Sequence, residues 1–448
     1  MLNQAGLLAG EPTTPGGIIN PLASKAPNFA PKAKSVIWCF MYGGPSSVDL
    51  FDHKPELDRS HGKKIDTGKT MFFGGEPGPL MKSPFAFKQH GQSGAWVSDA
   101  LPNIAECVDD IAFIRSCHIE TNVHDQALFQ VNTGVTRLGF PCAGSWTTYG
   151  LGSENQNLPG FVVMHDPRGM PVGGPPLWSS GFLPNSHQGT VFRTGKSPIL
   201  NLARPEGLSD AAQRRQLDFL GDLNASHQGQ HPDEPELLAR IASFELAYRM
   251  QMTAPEAVDI ASETSETREL YGIDRPVSQT YGTQLLMARR MVEKGVRFVQ
   301  VYSGGINSEW DSHEKVAVNH KLRCDETDQP VAGLLKDLKR RNLLDSTLVI
   351  WGGEFGRLPM SQGNGGRDHN PKGFMMWMAG GGIKGGTCLG ETDEIGYKAA
   401  VDPVSIHDIH ATVLHCLGMD HKRLTYFHNG RNFRLTDVAG EILRPILS

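Results

Sequence analysis

Six stretches of the chain are apolar almost without interruption: KSVIWCFMYGG (34–44), DIAFIRSC (110–117), FVVMH (161–165), VRFVQVY (296–302), STLVIWGG (346–353) and GFMMWMAGG (373–381). A strand with one face in water alternates apolar and polar side chains, whereas a continuous apolar run must be covered on both faces. Helical patterns lie between these runs. ALPNIAECV (100–108) precedes the second and VHDQALFQVNTG (123–134) follows it. The stretch from about Ser209 to Tyr271 is charged and amphipathic. QLLMARRMVEKG (284–295) stops at Gly295, and VAGLLKDLKRRNLL (331–344) leads into STLVIWGG. Covered strands alternating with helices specify an α/β fold, with a mainly parallel central sheet sandwiched by helices.

The organisation expected is one such domain over 34–448. It carries a loop-rich insertion at about 166–208, dense in Gly, Pro, Ser and Asn, and a helical insertion at about 209–272. Residues 10–33 read as an extended Pro/Ala-rich linker, and 1–33 together as a disordered leader or the remnant of an export signal. The basic n-region and full apolar core of a secretory signal are missing from MLNQAGLLAGEPTTPGG. The start codon could equally sit inside a longer signal. No run of 18 apolar residues occurs, so no transmembrane segment is expected.

A formal net charge of −5 with no basic stripe argues against nucleic acid as a partner. The seven cysteines form no CxxC pair, which argues against a zinc–thiolate site and a disulfide scaffold.

Ligands of open α/β sheets bind beyond the carboxyl ends of the strands, and there the polar residues of this chain gather. Ser46, Ser47, Asp49 and Asp52 follow the first run. His118, Glu120, Thr121, Asn122 and His124 follow the second. Asp311 and His313 follow RFVQVY. Glu354, Asp368 and His369 follow STLVIWGG, and a last helix, 403–418, brings His407 and His410. Mixed Asp/His sets suit zinc, manganese and similar divalent ions. Each residue also has a plainer reading. Asp49 can be a solvated turn residue, and Asp311 can cap a helix starting at Ser312. His410 shares a helical face with Ile406, Val413 and Leu417 and should be buried and hydrogen-bonded. His407, on the flank of that face, is the better ligand, and His415 should be exposed.

Long stretches resemble a sulfatase-like family, domain of unknown function 1501, common in planctomycete-type bacteria. They include FMYGGPSSVDLFDHKPEL (40–57), YGTQLLMARRMVEKGVRFVQVY (281–302), WDSH (310–313), TLVIWGGEFGR (347–357), GRDHNPKGF (366–374) and HDIHATVLHCLGMDHKRLTY (407–426). The resemblance runs from about residue 33 to the end, and its wider group is the alkaline phosphatase superfamily. It implies a metal-dependent hydrolase of phosphate or sulfate esters, acting on a small-molecule or polysaccharide anionic ester. It also implies export to the periplasm behind a twin-arginine signal; without one the chain would be cytoplasmic.

The departures are specific. Glu354 and Phe355 stand where sulfatases have an Asp-His pair, and Asp368-His369 comes fourteen residues later. His124 falls where a sulfatase has its modified Cys or Ser, and no C-x-P-x-R motif occurs. Asp49, Asp311, His313, Glu354, Asp368, His369 and His407 form the expected ligand pool for a divalent metal (zinc, manganese or calcium). His124 is a further ligand or an acid/base group. Arg357 or Arg367 would hold an oxyanion, and Thr121, Ser46 or Ser47 would be the nucleophile. The alternative is a catalytically inactive scaffold serving as a binding or assembly protein at the envelope.

Overall fold

The structure, a computed structural model, describes residues 22–66, 76–195, 197–200, 202–230, 235–306 and 309–448. All six apolar runs are strands: β1 (Ser35–Met41), β2 (Ile111–His118), β3 (Phe161–Met164), β5 (Phe298–Ser303), β6 (Thr347–Gly352) and β7 (Phe374–Ala379). Three short strands join them: β4 (Thr190–Val191), β8 (Thr387–Leu389) and β9 (Val404–Ser405). At two or three residues, these carry no readable apolar run.

The sheet runs β8-β2-β7-β6-β1-β5-β3-β4, with β9 also on β2. Strand β7 is antiparallel to both neighbours, and the other pairings are parallel. β1 lies at the centre, Ile37 in register with Val299 on one side and Val349 on the other.

Every residue of β1 is buried, because each face of the sheet has its own helical cover. Ile37, Cys39 and Met41 pack with Leu285 and Met291 of α5 (Gln279–Glu293) and Leu334 and Leu338 of α6 (Val316–Arg340). Val36, Trp38 and Phe40 pack with Leu128 of α1 (His124–Thr133), Trp146 of α2 (Ala143–Leu151) and Val413 of α7 (Ile406–Cys416). The helical insertion forms α3 (Asp210–Gln230) and α4 (Pro235–Val258), clasped by Arg214 on Glu245 at 2.7 Å. No helix among the described residues is long and apolar enough to cross a membrane.

Two expectations change. α6 begins at Val316, well before the expected 331, and runs through Pro330. Its first half reads as polar because Arg323, Glu326 and Asp328 are buried in ion pairs and caps rather than in apolar contact. The expected linker, from Leu22 on, is instead strapped to the fold. Lys25 donates its N–H to Leu151 O, Asn28 to Gly418 O, and both Lys32 and Ala33 to Cys416 O. These carbonyls end α2 and α7 and have no partner within their own helices. Residues 1–21, where an export signal would lie, fall outside the described residues.

α5 and α6 are locked by Asp337, which is fully buried. Its carboxylate meets Arg289 at 2.9 Å, Arg340 at 2.7 Å and Arg341 at 2.9 Å, and accepts the Tyr271 hydroxyl at 3.1 Å. Removing one partner of a buried ion pair leaves an uncompensated charge. Asp337→Ala is expected to cost about 3–5 kcal/mol in urea unfolding.

Candidate metal centre

Strands β6, β1 and β5 are neighbours, so the segments leaving their carboxyl ends meet. Trp310 N–H donates to Tyr42 O at 2.8 Å, and Gly43 N–H reaches the Glu354 carboxylate at 2.9 and 3.1 Å. Gly43 has φ +109°, and a Cβ there would lie 2.5 Å from the Asp311 nitrogen. Only glycine fits this approach. The chain after β6 then folds back as a two-stranded ribbon, Gly356–Arg357 against His369–Asn370. The ribbon carries His369 over the Phe355 ring, with centroids 4.4 Å apart. His124 is the first residue of α1 and packs on the same phenylalanine at 4.8 Å.

Four side chains converge as a result. His313 Nε2 and His369 Nε2 are 3.0 Å apart. Asp311 Oδ1 lies 3.0 Å from the first and 3.3 Å from the second. Asp311 Oδ2 lies 3.2 Å from His124 Nε2. An ion bound tetrahedrally at 2.0–2.1 Å separates its ligand atoms by about 3.3 Å. The described residues give two groups able to hold an ion: His124, Asp311 and His369, and His313, Asp368 and His369.

The outer partners fix the ring tautomers. His124 Nδ1–H donates to Glu354 Oε1 at 2.7 Å, His369 Nδ1–H to Asn122 O at 2.7 Å, and His313 Nδ1–H to Gln362 Oε1 at 2.5 Å. Each acceptor is an oxygen without a proton to give. In the neutral rings all three Nε2 atoms present lone pairs to an anionic carboxylate, His124 Nε2 lying 3.2 Å from Asp311 Oδ2. Lone pairs and carboxylate repel one another unless a cation lies among them. Histidine ligands held by carboxylate or carbonyl acceptors through the other nitrogen are the usual arrangement of metal sites. The donor set therefore fits a divalent ion.

Protons compete for the same place. Burial lowers the affinity of His124 for a proton, but Asp311 and Glu354 outweigh it and raise its pKa to about 9. His313 is also raised, chiefly by its bond to Asp311. His369, the most enclosed, is pushed down to about 4 by burial. Burial would raise Asp311, but the Arg357 guanidinium and the three histidines hold it far below the usual carboxylate range.

The family model described as protein of unknown function (DUF1501) matches residues 33–447. The chain belongs to the DUF1501 family. No curated protein matches it in sequence. Among solved structures it is similar to the alkaline phosphatase from the Antarctic bacterium TAB5, at 12% identity over 88% of this chain and 99% of that one, with a TM-score of 0.35. It is also similar to the PsFucS1 sulfatase from Pseudoalteromonas sp., at 10% identity over 86% and 68%, TM-score 0.35. The phosphonate monoester hydrolase SpPMH from Silicibacter pomeroyi is similar at 12% over 78% and 71%, TM-score 0.31.

The remaining residues of the expected pool lie elsewhere or act indirectly. Glu354 is fully buried and faces His124 Nδ1 and the Gly43 N–H, so it orients His124. Asp368 Oδ1 accepts the His369 N–H at 2.8 Å and lies 3.8 Å from His313 Nδ1. Asp49 is bound bidentately by Arg367 at 2.7 and 2.9 Å, both side chains fully buried. Arg367 spends its other donors on Leu358 O and Met81 O. Arg357 is engaged at each nitrogen by Gly43 O, Gly44 O, Arg367 O and Asp311. Neither guanidinium is free to hold an oxyanion.

His407 lies by Gly134, at the far end of α1 from His124. His410 is buried and bonded to Val131 O, as its helical face implies. Each of the three hydroxyls has a hydrogen-bond partner. Thr121 donates to Gln126, Ser46 to Asp49, and Ser47 accepts from Met375 N–H.

Sequence reasoning missed Gln362 and the Asn122 carbonyl, since backbone and amide acceptors leave no pattern. It also missed His320, which is neutral because burial lowers it to about 3. Its Nε2 accepts from Ser46 N–H at 2.9 Å, and Nδ1 faces Ser312 Oγ at 3.1 Å, tying the loops after β1 and β5 together.

Two outcomes follow. Glu354→Gln keeps the shape but removes the charge behind His124, and should weaken metal affinity about 10–100-fold in a chelator competition titration. With metal removed, the proton on His124 stabilises the fold fully below pH 6.5, its ordinary value, and this is lost as pH rises through about 9. Tm of the chelator-treated protein should fall across that window, and His124→Gln should flatten the slope. With metal present the increment in Tm should instead grow with pH, because the ion displaces the same proton.

Proposed function

We propose that the protein is a metal-dependent hydrolase of phosphate or sulfate esters. One observation carries the reading: three histidine Nε2 atoms, each ring held by an oxygen acceptor at Nδ1, converge on the Asp311 carboxylate. His124, Asp311, His313 and His369 would hold the ion, with Asp368 beside them. Imidazole-rich donors favour zinc over calcium, which prefers oxygen. When bound, such an ion polarises an ester oxygen and lowers the pKa of a water.

The chain's own part is positioning. Arg357 offsets the Asp311 charge and holds it toward the histidines. Phe355 fixes two imidazole planes from below and excludes water on that side. The Asp311 and His313 side chains are 21% and 30% exposed, whereas His369 is closed off, so an ester would arrive from the Asp311–His313 side. Export, implied by the family resemblance, would place the protein among extracytoplasmic esters.

A second reading has its own support. Ser46, Ser47 and Thr121 each hold a hydrogen bond within the fold, and Arg357 and Arg367 are engaged by carboxylates and carbonyls, which supports a site without a dedicated nucleophile or oxyanion-holding arginine. A metal-bearing binding protein would look the same.

Elemental analysis separates these outcomes from a site that binds no metal. Purified protein should hold stoichiometric metal, and Asp311→Ala and His369→Ala should lose it. Loaded protein should hydrolyse p-nitrophenyl phosphate or sulfate, with kcat/KM falling by about 100-fold or more in either variant. Metal without turnover of any ester would favour the binding protein, and absence of metal would end both.

A further inference from the structure

α3 turns Phe219 and Leu223 away from the rest of the chain. Among its described residues none is buried. The half-buried positions Gln213, Leu217, Gly221 and Asn224 recur every three or four residues, so they share one face, the one packed on α4. Only Leu217 among them is a large apolar side chain. Phe219 and Leu223 lie one turn apart on the opposite face, 63% and 51% exposed. Helices in proteins are held chiefly by the packing of an apolar face. The inner face of α3 supplies little of this, and its outer face has no cover.

The same outer face carries two unanswered charges. Arg215 and Asp222 flank Phe219, both exposed, and neither forms an ion pair among the described residues. Arg214 and Asp218, by contrast, are paired with each other at 2.8 Å. Arg215 and Asp222 are separated by about 10 Å along the helix axis and lie on nearly one line. Two copies of α3 laid antiparallel, about a twofold axis between residues 218 and 219, put Arg215 of each level with Asp222 of the other. Phe219 then meets Phe219 at the axis, and Leu223 lies over the aliphatic stem of the second copy's Arg215. A parallel arrangement would instead set Arg215 against Arg215 and Asp222 against Asp222.

We infer that the outer face of α3 is an interface between two copies of this chain, formed by antiparallel contact of α3 with α3. An isologous contact needs a self-complementary surface, and an apolar stripe flanked by one cation and one anion is self-complementary. A helix lying on a membrane surface would instead carry Lys and Arg along its polar face. A standard interface takes about 20–30 residues a side. One helix face provides fewer, so the dimer should be reversible in the micromolar range. The inference is independent of the metal centre and of the hydrolase reading.

The test is sedimentation velocity of the full chain from about 1 to about 200 μM, a range that spans weak association. The wild type should pass from monomer to dimer as concentration rises. Phe219→Lys should stay monomeric throughout and keep the wild-type Tm, because the side chain is exposed in the single chain. Arg215→Asp and Asp222→Arg should each weaken the dimer about tenfold, since the twofold axis repeats every change. Combining the two swaps restores opposite charges across the axis and should return Kd to within about threefold of wild type. A role confined to the single chain would give no such rescue. The inference is overturned if the wild type is monomeric at the highest concentration, if Phe219→Lys dimerises as the wild type does, or if the double variant associates no more tightly than the single ones.

Discussion

The Asp311 carboxylate is the point on which the site turns. It is largely enclosed, faces three imidazole nitrogens at 3.0–3.3 Å and lies against the buried Arg357. A carboxylate in such surroundings stays charged only if cations compensate it. Arg357 supplies one positive charge and fixes the side chain. The second comes from a proton on His124 or His313, or from a metal. These two options are the basis of the opposed pH dependences, because both occupy the same lone pairs.

Holding four donors at these separations requires a rigid frame, and the sheet provides it. β1 is buried on both faces between β5 and β6, so the exits of three strands are fixed relative to one another. Gly43 allows the loop after β1 to touch the Asp311 backbone. The Asp49–Arg367 pair and neutral His320 then tie that loop to the ribbon and to the segment before α6. Buried ion pairs add little net stability but are costly to break, which suits them to fixing loop geometry.

The sheet was legible because its strands are long and apolar on both faces, a pattern needing no tertiary context. Asp311, His313 and His369 were legible as a class because each follows a strand that reaches the centre. The site's inner order was not. Asp49 and Glu354 looked equivalent as carboxylates after strands, yet one is neutralised by Arg367 and the other stands behind His124. That difference is set by which cation lies opposite, and Arg367 is 318 residues from Asp49 along the chain. The first half of α6 was hidden for a related reason: its buried positions are charged and paired, so no apolar period marks them.

Glu354 and Phe355 stand where the family resemblance implied an Asp-His pair, and each has a structural role. A histidine at position 355 would put its imidazole where the Phe355 ring supports both His124 and His369. In this chain the ribbon brings the His369 imidazole to Asp311, and Phe355 is the surface on which it rests. Glu354 places a carboxylate at the strand end and turns it to His124 Nδ1 and to the Gly43 N–H. A carboxylate there raises the basicity of His124. Were the site to hold an ion as proposed, turning Glu354 away would limit its anionic ligands to Asp311 and Asp368, a balance that would favour an anionic ester over a neutral one.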